Sequence, residues 1–203
     1  MTEKGYPVQS FTTVYPGDVK YVDLTGENII DANDRKAIGY STTAPDIYYN
    51  FHLGAEYKGL GLDAMFQGVG RWTGFMTTNG LYRSAVATNT LSQYLYENSW
   101  SAERGNTESA LFPRLSTTSN ANNDLNSTLN MFDRSYIKLR YVELYYHLPK
   151  SLLNKLSVIN NVKLYVRGTD LFTADHLDKA DAASYGVAQP LTRSVQLGAA
   201  LTF

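Results

Sequence analysis

The sequence contains no cysteine, which removes any disulfide framework, any thiolate metal site and any cysteine nucleophile. That absence is compatible with every compartment. Neither sign of charge dominates, since 18 Lys and Arg face 19 Asp and Glu, so the clustered basic surface of a nucleic-acid binder is missing. No apolar run approaches the ~18–20 residues that a membrane helix requires. A middling mean hydropathy suits a soluble protein, but alternating barrel strands average to the same value. The opening "MTEKGYPVQS" lacks the charged-then-apolar layout of a signal peptide. Either the protein stays inside the cell or its natural start lies elsewhere.

Catalytic signatures are scarce as well. The three histidines, His52, His147 and His176, form no paired ligand spacing, and His52 falls on the polar face of a strand pattern as a hydrogen-bonded structural residue. There is no G-x-S-x-G elbow. The Gly-rich "GVGRWTG" at 68–74 is not followed by Lys-Ser/Thr, so it reads as a flexible loop rather than a phosphate cradle. No enzyme is expected. Arg71, Trp72 and Phe75 in that run could stack on a sugar or peptide, or simply pack beneath a long loop.

What the chain does have is aromatic residues, 16 of them Tyr, and alternation. Five segments carry the period of two that marks a strand with two different faces. In "IYYNFHLGAEY" the residues Tyr49, Phe51, Leu53, Ala55 and Tyr57 share a face, and after Lys58-Gly59 so do Leu60, Leu62, Ala64 and Phe66. That pair is the clearest hairpin, with Gly59 free to take positive φ. "SYIKLRYVELYYHLP" changes phase in its middle, which predicts a β-bulge near Arg140 to Val142, and Pro149 stops it. "KSLLNKL" suits a single helical turn. "NVKLYVRG" and the final "SVQLGAALTF" alternate again, the latter up to Phe203. The polar faces read as small and mixed (Asn50, Gly54, Gly61, Gln67, Gly198) rather than studded with charge.

Short and long connections alternate along the chain: two residues at Lys58-Gly59, a modest stretch at 149–161, and long polar stretches at 68–133 and 173–190. In an antiparallel sheet this collects every long connection at one end, the layout of an outer-membrane barrel. A soluble β-sandwich alternates too. Tyr near strand ends and a final residue inside a strand favour the barrel.

Residues 23–34, "DLTGENIIDAND", match the twelve-residue calcium loop in spacing, with Asp23, Thr25, Glu27, the Ile29 carbonyl, Asp31 and Asp34 in the ligand positions. Thr25 stands where Asp or Asn is usual, and Asn28 stands where Gly makes the sharp turn. An Asx-rich turn without an ion is the competing reading.

Taken together, these segments resemble the C-terminal part of SusC/RagA-type TonB-dependent outer-membrane transporters of Bacteroidetes. The segments that carry the likeness are "PGDVKYVDLTGENIIDANDRKAIG", "YNFHLGAEYKGLGLDAMFQGVG", "FPRL", "RSYIKLRYVELYYHLP", "VKLYVRGTDLFT" and "LGAALTF". The resemblance covers nearly everything from about residue 14 onward. It implies an all-β fold of antiparallel transmembrane strands, part of a plugged barrel of about 22 strands with long external loops. Residues 1–46 would form an external loop region containing the Asp-rich loop, and 47–203 the barrel strands. The function implied is nutrient import, of glycan or peptide, and the alternative is a soluble or surface β-domain that binds carbohydrate or calcium. The implied partners are the rest of the barrel and its plug, a SusD-like surface lipoprotein, the TonB complex, the barrel-assembly machinery and outer-membrane lipid. Phe203, with Leu201 and Leu197, would fall on the family's assembly signal. No plug and no TonB-contacting segment is recognisable, so the chain reads as a fragment or as one piece of a barrel completed by other polypeptide.

Overall fold

The computed structural model describes residues 5–77, 91–154, 158–177 and 191–203. These fall into two compact units that alternate along the chain, 1–38 with 75–132 and 39–74 with 133–203.

The first unit is built mainly from turns. Strand β1 (Val8–Gln9) pairs in parallel with β2 (Ile29–Ile30), and a 3-10 turn follows at Ala32–Asp34. Helix α1 (Gln93–Asn98) is capped by Ser92, whose hydroxyl accepts from the Leu95 N–H at 3.1 Å, and Leu95 is fully buried. Polar groups hold the rest. The Asp18 carboxylate, almost wholly buried, accepts from the Tyr15 N–H, from Arg114 Nε at 2.7 Å, and from the side-chain amides of Asn120 and Asn123. The "PGD", "FPR" and "NANND" segments are thus tied at one carboxylate. Loop composition concealed this knot, because Asn and Asp serve both solvated loops and buried turns by satisfying nearby backbone.

The second unit is a five-stranded antiparallel sheet in the order β3-β4-β7-β8-β9. Its strands are β3 (Ile47–Tyr57), β4 (Leu60–Gly70), β7 (Tyr136–His147), β8 (Asn161–Asp175) and β9 (Ser194–Thr202). Two short strands, β5 (Thr73–Phe75) and β6 (Met131–Asp133), form a separate two-stranded sheet. Lys58 at φ 53° and Gly59 at φ 85° make the two-residue β3–β4 hairpin, both in the left-handed region that matches strand twist. Helix α2 (Lys150–Leu153) provides the single turn between β7 and β8. The Lys58-Gly59 turn, the β7–β8 connection and the end of β9 lie at one edge of the sheet, and the long connections leave from the other.

The phase change within β7 has a structural cause. Arg140 is the extra residue between Leu139 and Tyr141, unmatched on β4, and the β8 register shifts at the same height. There Asp170 takes φ 51°, and its carboxylate accepts from Arg140 Nη1 at 2.9 Å, joining the two irregularities. The bulge returns the apolar residues Val142 and Leu144 to the face occupied by Ile137 and Leu139.

Cross-strand rows define the two faces. Ala55, Leu62, Leu144, Val166 and Leu197 stand directly opposite one another across all five strands. The adjacent row reads Gly54, Asp63, Glu143, Arg167 and Gln196. On the apolar face Phe51, Leu53, Leu62, Leu144, Leu164 and Leu201 are exposed, and Leu197 is 81% exposed. A water-soluble domain covers such a face with a second layer. Here no second layer covers these side chains among the described residues.

The polar face differs from the sequence expectation, because it does carry charge. Asp63, Glu143, Lys163 and Arg167 all lie on it, concentrated on β7 and β8. Their charges are paired: Glu143, 3% exposed, accepts from Lys163 Nζ at 2.5 Å and from Arg167 Nη2 at 2.6 Å. Pairing lets these groups occupy a crowded sheet face that the small residues alone had suggested was uncharged.

Candidate functional site

Two places in the structure bring together residues with binding chemistry. One is the Asp-rich loop of the first unit, and the other is the sheet edge from which the long connections depart.

In the Asp-rich loop, Asn28 takes φ 61°, the left-handed turn that the spacing demanded of position six. Its N–H donates to Asp23 Oδ2 at 2.7 Å, while Asp23 Oδ1 accepts from Gly26 N at 2.6 Å and from Thr25 N. The Asp34 carboxylate is used in the same way, accepting from the N–H groups of Asp31, Leu24 and Thr25. Hydrogen bonds from Gly26 hold Asp23 below the usual carboxylate range, with Asn28 and Thr25 adding to the effect. The Asp31 N–H does the same for Asp34, followed by Leu24 and Thr25. Asp31 is spent capping the 3-10 turn through Asn33, Glu27 is exposed, and Ile29 sits in β2 beside Val8.

Each oxygen of Asp23 and Asp34 therefore already accepts at least one backbone N–H. Among the described residues no three acidic or histidine side chains gather to hold a metal ion. The positions that the spacing singled out are held here as an Asx-rich turn: Asp23 and Asp34 accept backbone N–H groups, Asp31 caps the 3-10 turn, and Ile29 pairs in β2.

At the long-connection edge, Arg71 and Trp72 follow directly on β4. Arg71 has φ 53°, uncommon for a residue with a side chain. The segment 40–46 clamps this turn: the Asp46 N–H donates to the Arg71 carbonyl, the Thr73 N–H to the Ser41 carbonyl at 3.1 Å, and the Tyr40 N–H to Thr73 Oγ1 at 2.7 Å. Gly39 is required beside it, because a Cβ there would collide with the Thr73 side chain. Trp72 donates its indole N–H to the Thr42 carbonyl at 3.4 Å. The guanidinium of Arg134 lies 3.7 Å above the Trp72 ring, and that of Arg71 lies 5.8 Å from the Tyr40 ring centre. Arg134 is fixed in register by its N–H, which donates to the Trp72 carbonyl at 2.8 Å.

Of the three residues singled out here from sequence, the structure seats Arg71 and Trp72 in one cluster, whereas Phe75 is a half-buried residue of β5. Sequence reasoning missed Tyr40 and Arg134. Arg134 stands 62 positions from Trp72 in the chain and is brought to it by strand pairing, for which local pattern holds no signal. Leu197 and Leu201 lie on the exposed apolar face of β9, and Phe203 follows its last residue.

No family model matches the chain. It is 30% identical over 167 residues to TonB-dependent receptor P3 of Formosa agariphila, a match that covers 82% of this chain and 15% of the relative. The chain thus spans about one seventh of that relative's length. Among solved structures it superposes on the RagAB peptide importer in its open-open state with a TM-score of 0.66 at 24% identity, covering 91% of this chain and 20% of the other. The closed-closed state of the same importer gives a TM-score of 0.65 at 25% identity over 86% of this chain and 19% of the other.

Proposed function

Because the chain belongs to the SusC/RagA-type TonB-dependent receptors of the outer membrane, we propose that its sheet is a stretch of wall in a nutrient-importing barrel. The observation that carries this reading is the open apolar face. Five hydrogen-bonded strands present Leu62, Leu144, Leu164 and Leu197 outward, with nothing among the described residues of their own unit packed over them. Lipid is the medium in which such a face is satisfied.

Dimensions support it. From Tyr49 to Tyr57, strand β3 rises about 26 Å at ~3.3 Å per residue. A tilt of ~40° reduces that to roughly 20 Å, near the ~25 Å apolar band of an outer-membrane barrel. Tyr49 marks one end of the band, and Tyr57 and Tyr146 the other, as in an interfacial girdle. The charged face then looks into the lumen, toward a plug. Strands β3 and β9 end the sheet order and need further strands to close a barrel.

In this reading the Lys58-Gly59 edge is periplasmic and the long connections are external. The substrate is a glycan or a peptide, taken up with a surface lipoprotein partner and driven by the TonB complex. Leu197, Leu201 and Phe203 serve recognition by the barrel-assembly machinery. A soluble carbohydrate- or calcium-binding domain is less well supported, since it would require a second layer over Leu197.

The test is labelling on intact cells. An epitope inserted in the turn at Ala102–Gly105 should be accessible from outside, and one at Lys58-Gly59 only after permeabilisation. Equal labelling of both sites, or purification from the cytosol without detergent, overturns the assignment.

A further inference from the structure

The short-connection edge of the sheet carries charge of one sign. The connections at 58–59 and 149–160 together contain Lys58, Lys150 and Lys155 and no Asp or Glu. Between them lies a cavity of about 410 Å³, walled by Lys58 and Lys150, with His147 and Asn161 as polar lining and Leu148 and Leu153 as apolar lining. No carboxylate lines it, and neither Lys58 nor Lys150 enters an ion pair among the described residues.

The walls are fixed by main-chain bonds as well as packing. The His147 N–H donates to the Gly59 carbonyl at 2.7 Å, the Leu148 N–H to the Val162 carbonyl at 2.9 Å, and the Asn154 N–H closes α2 on the Lys150 carbonyl at 2.9 Å. Leu153 is buried and anchors that helical turn. The His147 ring is held on two sides, with Nδ1 3.1 Å from Asn161 Oδ1 and its edge against Tyr145. Lys58 stands in the hairpin turn at φ 53°, and its Nζ lies 5.1 Å from the centre of the Tyr57 ring. Tyr57, Leu60, Tyr146 and Leu164 form the last cross-strand row of the apolar face at this end, and all four are exposed. The Lys58 ammonium therefore sits where the apolar face stops.

We propose that this cavity binds the phosphate headgroup of an anionic phospholipid in the inner leaflet of the outer membrane. Charge complementarity selects the ligand, because two ammonium groups without a protein counter-ion attract a phosphodiester. Position selects a lipid over a free anion: acyl chains can lie against Leu60 and Leu164 while the headgroup is held at the edge. Tyrosine rings and lysines at that depth are the usual anchors to a headgroup layer. This rests on the import reading, which puts the edge at the periplasmic interface.

Native mass spectrometry of the intact, detergent-purified receptor tests it, by titration with phosphatidylglycerol and, separately, with zwitterionic phosphatidylethanolamine. The key variant is Lys58→Asn, which removes the charge and leaves Asn-Gly, a pair suited to the positive φ of this turn. Lys150→Gln removes the charge on the opposite wall. We expect phosphatidylglycerol to bind more tightly than phosphatidylethanolamine, and each variant to weaken it about fivefold. Lys36→Gln, at an exposed lysine of the first unit, should leave that affinity unchanged. An excess of free glycerol phosphate should not displace the lipid.

Equal affinities for the two lipids overturn the proposal. So does an unchanged affinity in either Lys58→Asn or Lys150→Gln, in receptor shown to be folded by its heat-modifiable gel mobility. A loss in Lys36→Gln as large as in Lys58→Asn also overturns it, since overall charge then accounts for the binding. Displacement by glycerol phosphate gives the cavity to a soluble anion and overturns the lipid assignment. The import reading fails by a different result, absence of the receptor from the outer membrane.

Discussion

Tyr145 lies flat over Gly61 on the neighbouring strand, and Tyr165 covers Gly198 in the same cross-strand row, so that a Cβ at either glycine would collide with the ring. Small residues on this face are therefore seats for aromatic rings, as well as narrow points of the sheet. Single residues also decide the Asp-rich loop. Asp23 and Asp34 are held below their ordinary range by backbone N–H donors, Gly26 first for Asp23 and Asp31 first for Asp34. A lowered folded value means the stabilisation is fully present above the unfolded value, about 3.9, and is lost as pH falls through the folded one. Hydrogen exchange of the peptide spanning 24–31, corrected for intrinsic rate, should show protection at neutral pH that disappears below about pH 4. Calcium at millimolar concentration should leave that protection unchanged. A calcium-dependent gain would mean that the carboxylates exchange their amide partners for an ion.

Strands β7 and β8 carry most of the charge on the polar face, and Glu143 is its centre. The carboxylate is buried at 3% exposure between Lys163 and Arg167, whereas those two side chains remain partly open to solvent. Breaking a fully buried pair costs about 3–5 kcal/mol, and the exposure of the cations reduces that. Glu143→Gln is expected to destabilise the folded barrel by about 1–3 kcal/mol, measured by urea unfolding in lipid with tryptophan fluorescence. Adding Lys163→Met should recover part of the loss by removing an unpaired cation. A change within about 0.5 kcal/mol in the single variant would show that the triad is solvated rather than bearing load. The position of the β7 bulge was readable, since Ile137 and Leu139 alternate out of phase with Val142 and Leu144. The answering irregularity at Asp170 was hidden, because β8 keeps its apolar residues in phase on either side of it.

Taken entire, the described sheet is a piece of wall, apolar on one side and charged on the other, with two unpaired edges. Its environment governs how a charge on the apolar face is tolerated. Leu197→Arg, at mid-height on β9, should cost about 2–4 kcal/mol and lower the fraction inserted in the outer membrane, read by heat-modifiable mobility. The same substitution at Gln196, on the opposite face, should be nearly neutral. If both variants insert equally, the Leu197 face does not meet lipid. The strands, their facing and the hairpin turn were legible in the chain because the β period of two, β-branched and aromatic residues, and Gly59 are local signals written within a few residues. The pairing of Glu143 with Lys163 and Arg167, the knot at Asp18 and the seating of Arg134 on Trp72 join residues 20 to about 100 positions apart. Such contacts come from strand register and chain return, which no local pattern encodes.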